Sequence, residues 1–141
     1  MISRNKYLIF SKNFDIIYIE KKREENKMGT RSLIGYIDRN TKEVHYSYYQ
    51  FDGYPEWVAP QLMNIYNSYE KVKSLVSKGW ASQLRSVYEE MDFWEDEPQV
   101  CVDEDTFFSD KIDYGVDFKY LFDEDDNWLV LQTYGGPMKL Y

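Results

Sequence analysis

Two stretches of β-forming residues arranged around short polar turns limit what this chain can fold into. Residues 31–37 and 43–49 are rich in aliphatic and aromatic side chains, with polar turn residues between them. Residues 116–122 and 128–134 repeat this arrangement around the acidic turn 123–127. β-Branched and aromatic residues on both sides of a turn cluster are typical of β-hairpins. The sequence therefore predicts two hairpins.

The region between the hairpins has the spacing of apolar residues that is expected for helices. Residues 56–67 are predicted to form a first helix. Residues 68–78 are predicted to form a second helix, which begins at the N-cap Ser68 and is ended by Gly79. A shorter third helix is predicted for residues 82–91.

The remaining segment, residues 92–114, has many acids and no clear period, so we expect a long surface loop with one short strand at 99–102. Hairpins and helices without regular β-α-β alternation indicate an α+β domain. We expect an antiparallel sheet of four to five strands, built from the two hairpins, with two to three helices packed on one face. An aromatic layer between sheet and helices is expected from Tyr46, Tyr48, Tyr120, Trp128 and Tyr134.

The length of 141 residues fits a single domain, and residues 28–141 are expected to form it as one compact α+β unit. Residues 1–27 are expected to be a leader or N-terminal extension from an over-called start. The codons of residues 22–27 can be almost wholly purine, and can therefore contain a ribosome-binding sequence ahead of Met28. The alternative is a native N-terminal segment with strands in YLIF and DIIYI. The sequence has neither an apolar run of about 18 residues nor a signal peptide, so we expect a cytoplasmic protein.

Charge is distributed unevenly along the chain, whose formal net charge is −8. Residues 1–27 hold seven basic residues against four acids, whereas residues 89–126 hold sixteen acids against Lys111 and Lys119. A surface this negative repels the negatively charged phosphates of nucleic acids. We therefore do not expect the protein to bind DNA or RNA directly. Such a surface suits a partner protein with a basic surface instead.

Residues with catalytic or metal-binding chemistry are scarce in this sequence. His45 is the only histidine and Cys101 the only cysteine, so no Cys/His zinc cluster and no internal disulfide can form. No nucleophile and base stand in a recognisable arrangement, and the acidic runs lack the alternating carboxylates and glycine of an EF-hand loop. We therefore expect a protein that is not an enzyme and that needs no metal or other cofactor.

A candidate ligand site lies where the first hairpin begins and ends. Hairpin pairing places the start of its first strand beside the loop that follows its second strand. Hydroxyls, a guanidinium and backbone N–H groups at this corner suit a phosphate or carboxylate, and a tyrosine there can stack on a base. In the alternative interpretation, Asp52 caps the following helix while Arg31 pairs with Asp52 or Glu56. The predicted ligand-binding residues are Thr30, Arg31, Ser32, Gln50, Asp52 and Tyr54.

Two motifs carry a resemblance to a known group of proteins. Residues 28–35 read MGTRSLIG and residues 49–56 read YQFDGYPE. Together they resemble a family of small phage-encoded proteins of unknown function, and the likeness covers roughly residues 28–134. Members typically start at the methionine of the first motif, which agrees with a leader at residues 1–27. This chain departs from the pattern at residues 57–59, which read WVA where a small glycine-containing turn is expected, so a pocket there would be narrowed or filled.

Two non-catalytic functions follow for a phage protein that acts in the cytoplasm of its host. In the first, the protein inhibits a host process, with host defence as the favoured target, by binding a nucleic-acid-binding or immune protein through its acidic face. In the second, the corner site sequesters a nucleotide-like immune signal without changing it. Nothing in the sequence excludes an oligomer. The residues predicted to bind the host protein are Glu95, Asp96, Glu97, Asp103, Glu104 and Asp105.

Overall fold

The computed structural model describes residues 29–87, 90–94 and 97–133, together with the backbone of residues 6–11. Within these ranges it contains seven strands and three helices. In chain order they are β1 (Lys6–Ser11), β2 (Ser32–Ile37), β3 (Val44–Phe51), α1 (Pro55–Asn64), α2 (Tyr69–Ser77), β4 (Ala81–Gln83), β5 (Gln99–Cys101), α3 (Glu104–Phe107), β6 (Phe118–Phe122) and β7 (Asn127–Gln132).

All seven strands join one sheet in the order β1-β7-β6-β2-β3-β4, and β5 also pairs with β3. The two predicted hairpins are confirmed, because β2 pairs antiparallel with β3 and β6 pairs antiparallel with β7. The α+β class is confirmed as well. The expectation of an antiparallel sheet of four to five strands is wrong, since β2 runs parallel to β6 and β3 runs parallel to β4. The long connection between the hairpins allows this, because the chain returns to the end of the sheet at which β2 begins.

Strand β2 lies in the middle of the sheet, and all six of its residues are buried. Successive side chains of a strand point to opposite faces. Ile34 and Tyr36 accordingly belong to one hydrophobic cluster, while Leu33 and Ile37 belong to another. A sheet with two apolar faces needs cover on both of them.

Helices α1 and α2 cover the first face. Val58, Leu62, Val72 and Leu75 from these helices pack with Ile34, Tyr120 and Trp128 of the sheet. The predicted cap of α2 is confirmed, since the Ser68 hydroxyl accepts a hydrogen bond from the Lys71 N–H at 3.3 Å. Gly79 follows α2 with a φ of 94°, a conformation that glycine adopts without strain at a helix end.

Helix α3 and the loop after it cover the second face. Phe107, Phe108 and Val116 pack there against sheet residues that include Tyr46, Tyr48 and Leu121. The expectation that all helices lie on one face is therefore wrong, because the segment predicted as a long loop, residues 92–114, contributes α3 to the opposite layer and β5 to the sheet. The expected aromatic layer is also divided. Tyr120 and Trp128 face α1 and α2, Tyr46 and Tyr48 face α3, and Tyr134 lies outside the described residues.

The helix predicted for residues 82–91 is wrong over residues 82–87, the first half of the predicted segment. Ala81–Gln83 is a short strand on β3 instead, with Ala81 opposite Tyr49. On its other side, the Ser82 N–H donates to the Asp92 carbonyl at 3.2 Å and the Trp94 N–H donates to the Trp80 carbonyl at 2.7 Å. These hydrogen bonds to β3 and to residues 92–94 outweigh the local helical preference of the segment, as tertiary pairing often does.

The backbone of β1 forms one edge of the sheet, where it pairs antiparallel with β7. This strand contains the YLIF sequence, and the second predicted strand, DIIYI, lies outside the described residues. The interpretation of residues 1–27 as a leader, and of residues 28–141 as the domain, stays a prediction.

The close packing of β2 on β3 can be tested at Gly35. A Cβ atom at this position would lie 2.6 Å from the backbone oxygen of His45 and 2.9 Å from the Cβ of Tyr46. We expect Gly35→Ala to lower the free energy of unfolding by about 2 kcal/mol, because neither neighbour can move without disturbing the pairing. A Cβ at Gly29 meets nothing within 4 Å, so Gly29→Ala is the control. Urea denaturation that found the two variants equally stable would contradict this account of the sheet.

Candidate functional site

Three acidic segments meet at one end of the sheet. Because β2 and β6 are parallel, the turn after β2 (residues 38–43) and the turn after β6 (residues 123–126) lie at the same end. Strand β5 is antiparallel to β3 with Cys101 opposite Val44, which brings residues 103–105 to this end as well. We call these three segments the acidic end. It holds nine carboxylates against Arg39 and Lys42, a formal net charge of −7.

Backbone hydrogen bonds keep two of these carboxylates charged. Asp38 Oδ1 accepts from the N–H groups of Asn40 and Thr41 at 2.8 and 3.0 Å, and these bonds lower the pKa of Asp38. Asp103 is the N-cap of α3, and its Oδ1 accepts from the Thr106 N–H at 2.9 Å. This bond likewise lowers the pKa of Asp103. Asp38 and Asp103 therefore retain both their charge and their orientation.

Asp123 shows that the start of α3 and the β6–β7 turn share one electrostatic environment. Its Oδ1 accepts from the N–H groups of Asp125 and Asn127, each at 2.9 Å. Burial raises the pKa of Asp123 against these bonds, and the charges of Asp125 and Glu104 raise it further. The charge of Glu104 in α3 therefore acts on Asp123 in the β6–β7 turn.

Two ion pairs join the hairpin turns. Arg39 pairs with Asp126, and Lys42 pairs with Glu124. The Arg39 guanidinium also lies over the ring of Tyr69, 4.3 Å from its centroid, which connects the acidic end to α2. Exposed pairs of this kind contribute little to stability. Here each pair places a basic side chain of the first turn beside an acid of the second.

The structure separates the residues predicted to bind a host protein. Asp103, Glu104 and Asp105 lie together at the acidic end, whereas Glu97 precedes β5 and so lies towards the other end of that strand. Glu95 and Asp96 lie outside the described residues. The sequence places residues 123–126 in the same acidic stretch, but they are not among the residues predicted to bind the host protein. Their acidity was visible, but their proximity to residues 103–105 depends on β2 and β6 being parallel, for which there was no local signal.

The corner at the opposite end of the sheet brings together the segments that hairpin pairing predicted. Ser32 is opposite Tyr49, and the Gly53 N–H donates to the Thr30 carbonyl at 3.0 Å. The Tyr48 hydroxyl donates to Gln50 Oε1 at 2.9 Å. Binding of a ligand at this corner stays a prediction.

Individual side chains at the corner differ from the expectation. Ser32 is completely buried, and a Cβ at Gly53 would lie 2.7 Å from the Ser32 Cβ, so the serine hydroxyl is not accessible to a ligand. Thr30 is buried as well. Arg31 is exposed, Gln50, Asp52 and Tyr54 are partly exposed, and these four are the residues that a ligand can reach.

In the alternative interpretation of the corner, Asp52 caps α1 and Arg31 pairs with Asp52 or Glu56. The residues that the structure describes form neither contact. Tyr54 is the N-cap of α1 and makes no side-chain capping bond. The Asp52 carboxylate accepts a hydrogen bond from the Gln83 side chain instead. Arg31 makes no ion pair within the part of the chain that the structure describes, so it does not lock Asp52 or Glu56 in place.

His45 and Cys101 carry side chains that serve in catalysis in many enzymes, but here both side chains are packed against other residues. The His45 ring stacks on Tyr36 with 5.2 Å between the ring centroids, and its Nε2 lies 3.9 Å from Asp38 Oδ2. Burial raises the pKa of the Cys101 thiol to about 11. A thiol with so high a pKa holds little reactive thiolate at neutral pH. That the protein is not an enzyme stays a prediction.

Lys119 is a buried cation that the sequence analysis did not predict. Only 2% of it is exposed, and its ammonium donates to the backbone carbonyls of Phe107, Ser109 and Ile112. Burial lowers the pKa of Lys119 to about 8, against the charges of Asp113 and Asp110, which raise it. The only sequence signal was a lysine inside an otherwise apolar strand. This side chain holds the end of α3 and the following loop on the second face of the sheet.

Among the described residues, no three or more His, Cys, Asp or Glu side chains are grouped so as to hold a metal ion. Nor does that part of the chain contain a helix of sufficient length and hydrophobicity to cross a membrane. No protein-family model, curated protein or solved structure matches the chain.

Replacing Lys119 tests how the second layer is held in place. We expect Lys119→Met to lower the free energy of unfolding by about 2 kcal/mol at pH 7, because three carbonyls lose a charged donor. The difference in free energy of unfolding between the wild type and Lys119→Met, here called the gap, should widen between pH 8 and about 10.5. There the unfolded lysine keeps its proton while the folded one, with a pKa of about 8, has lost it, so the wild type gains stability as the pH rises.

Urea denaturation at pH 7 to 10.5 measures this gap, which should grow by on the order of 3 kcal/mol. Well below pH 8 both states are protonated, so the difference in free energy of unfolding should be constant there. Lys111→Met removes an exposed lysine from the same loop and serves as the control. A gap that does not change with pH would mean that Lys119 is not buried as an ammonium.

Proposed function

We propose that this chain is a phage-encoded, non-catalytic inhibitor of a host defence process. It binds a host nucleic-acid-binding or immune protein that has a basic surface, and the acidic end makes the contact. The resemblance at residues 28–35 and 49–56 supports the phage origin. The acidic end supports the mode of action.

The observation that carries the proposal is the convergence of nine carboxylates from three separate segments, with only Arg39 and Lys42 among them. Asp105 and Asp125 are exposed and make no ion pair within the described ranges. A concentrated negative potential of this kind steers a basic partner into contact and raises the rate of association. The backbone bonds of Asp38 and Asp103 keep carboxylates oriented before the partner arrives.

The proposed inhibitor competes with the nucleic acid of its target. Carboxylates spread over a rigid surface can occupy the lysine and arginine side chains that otherwise bind phosphates. Exposed charge pairs are screened by salt. The complex is therefore expected to form rapidly and to dissociate as the ionic strength rises.

Neutralising part of the acidic end tests this proposal. The triple variant Asp103→Asn, Glu104→Gln and Asp105→Asn removes three charges, while the asparagine at 103 can still cap α3. Each tagged protein is purified gently from its host, and the bound host protein is quantified by native mass spectrometry along a salt gradient. We expect the wild type to retain one host protein at low salt and to release it at high salt, and the triple variant to lose most of it.

The matched control removes the same number of charges elsewhere. Glu56→Gln, Glu90→Gln and Asp92→Asn alter exposed residues near the start of α1 and beside β4, away from the acidic end. This control should retain the host protein at the wild-type level. If the triple variant at residues 103–105 retained as much host protein as the control, the acidic end would not be the binding surface.

A second candidate function is sequestration of a nucleotide-like immune signal at the corner. One observation favours it: the exposed Arg31 guanidinium lacks an ion pair in the described part of the chain and lies near Tyr48, whose pKa it lowers against the larger effect of burial. An exposed arginine without an ion pair can donate charge-assisted hydrogen bonds to the phosphate of a nucleotide.

Titration with a panel of cyclic and linear nucleotides measures this second function. If one of them binds, Arg31→Ala should weaken its affinity at least about tenfold, because a charge-assisted hydrogen bond is lost. Lys71→Ala removes an exposed cation from α2 and should leave the affinity unchanged. Equal affinity in wild type and Arg31→Ala would exclude the corner as the site.

A further inference from the structure

Strand β5 is an edge strand with exposed apolar side chains. It pairs with β3 over three residues only, Gln99 to Cys101 against Val44 to Tyr46. No other described strand pairs with it. Val100 is 48% exposed and Val102, the second residue after it, is 66% exposed. Exposed β-branched residues on an unpaired edge are an open template for a further strand.

The backbone of β5 offers hydrogen bonds as well as apolar contact. In an antiparallel pair, alternate residues direct their N–H and C=O groups towards the partner strand and away from it. At least one of the three paired residues therefore presents both groups to the outer side. Pro98, which has no N–H, precedes β5 and limits the available edge to residues 99–102.

The charges around β5 determine what can pair with it. Glu97 precedes the strand, and residues 103–105 of the acidic end follow it. In a β5–β5 pair of two copies, antiparallel strands would bring Glu97 of one copy towards residues 103–105 of the other, and parallel strands would align the acids with themselves. Either arrangement places like charges together, which is destabilising. A strand with lysine or arginine at its two ends makes attractive contacts at both positions.

We propose that β5 is a docking strand for an extended, basic segment of the partner protein. The segment pairs with the outer edge at residues 99–102, places apolar side chains on Val100 and Val102, and places lysine or arginine side chains beside Glu97 and residues 103–105. Main-chain pairing supplies affinity, and alternate side chains supply specificity, as in other cases of strand addition. This inference rests on the proposed function and names the part of the partner that is recognised.

The test uses an eight-residue peptide of alternating lysine and valine as the probe. Fluorescence anisotropy measures its affinity for the full chain, and hydrogen exchange locates the amides that it protects. We expect slower exchange within residues 99–102. The double variant Val100→Thr and Val102→Thr keeps β-branched side chains but loses apolar contact, and should bind about tenfold more weakly. Val87→Thr alters another exposed valine and should bind as the wild type does.

A second peptide separates strand pairing from simple charge attraction. It has the same sequence with every backbone nitrogen methylated, so it keeps every charge but has no N–H with which to pair along either edge. We expect at least tenfold weaker binding. Equal binding of the two peptides, no binding of either, or protection that does not include residues 99–102 would overturn the inference.

The outcomes for the docking strand and for the proposed function are distinguishable. If the two peptides bind equally while the triple variant at residues 103–105 loses its host protein, the acidic end acts by charge alone and the docking strand is wrong. If the unmethylated peptide protects residues 99–102 while the triple variant retains its host protein, β5 is a docking strand and the acidic end is not the inhibitory surface.

Discussion

The burial of β2 on both faces is the constraint on which the rest of the structure depends. This strand joins the two hairpins, because it pairs antiparallel with β3 and parallel with β6. With Leu33 on one face and Ile34 on the other both fully buried, neither face can be left to solvent. Helices α1 and α2 cover one face, and an apparently irregular acidic segment has to fold over the other. The parallel pairing with β6 also determines which turns become neighbours.

Lys119 links this interior arrangement to the surface charge. An ammonium inside the second layer is unfavourable unless its hydrogen bonds are satisfied. The carbonyls of Phe107, Ser109 and Ile112 satisfy it, and in doing so they fix the end of α3 and the loop that follows. Because α3 begins at the acidic end, one buried cation helps to hold the carboxylates of residues 103–105 in position.

The two candidate sites lie at opposite ends of the same sheet, and they were predictable to different degrees. The corner follows from hairpin pairing alone, since antiparallel neighbours in sequence must meet, and its proximity was anticipated correctly. The burial of Ser32 and Thr30 was not anticipated, because it depends on how closely Gly53 approaches Ser32. The acidic end was anticipated only in part. Its two main segments, residues 103–105 and 123–126, are far apart in sequence and meet through long-range pairing.

Local chemistry in the sequence determined the hairpins, the Ser68 cap, the Gly79 helix end and the α+β class, because turn residues, capping oxygens and side-chain alternation act over a few residues. It also determined that the chain is strongly acidic. Only the tertiary structure decided that the sheet is mixed, that residues 81–83 form a strand rather than a helix, and that a lysine lies in the interior. These features depend on pairing and burial between distant segments, whose free energies exceed local preferences and leave no local pattern.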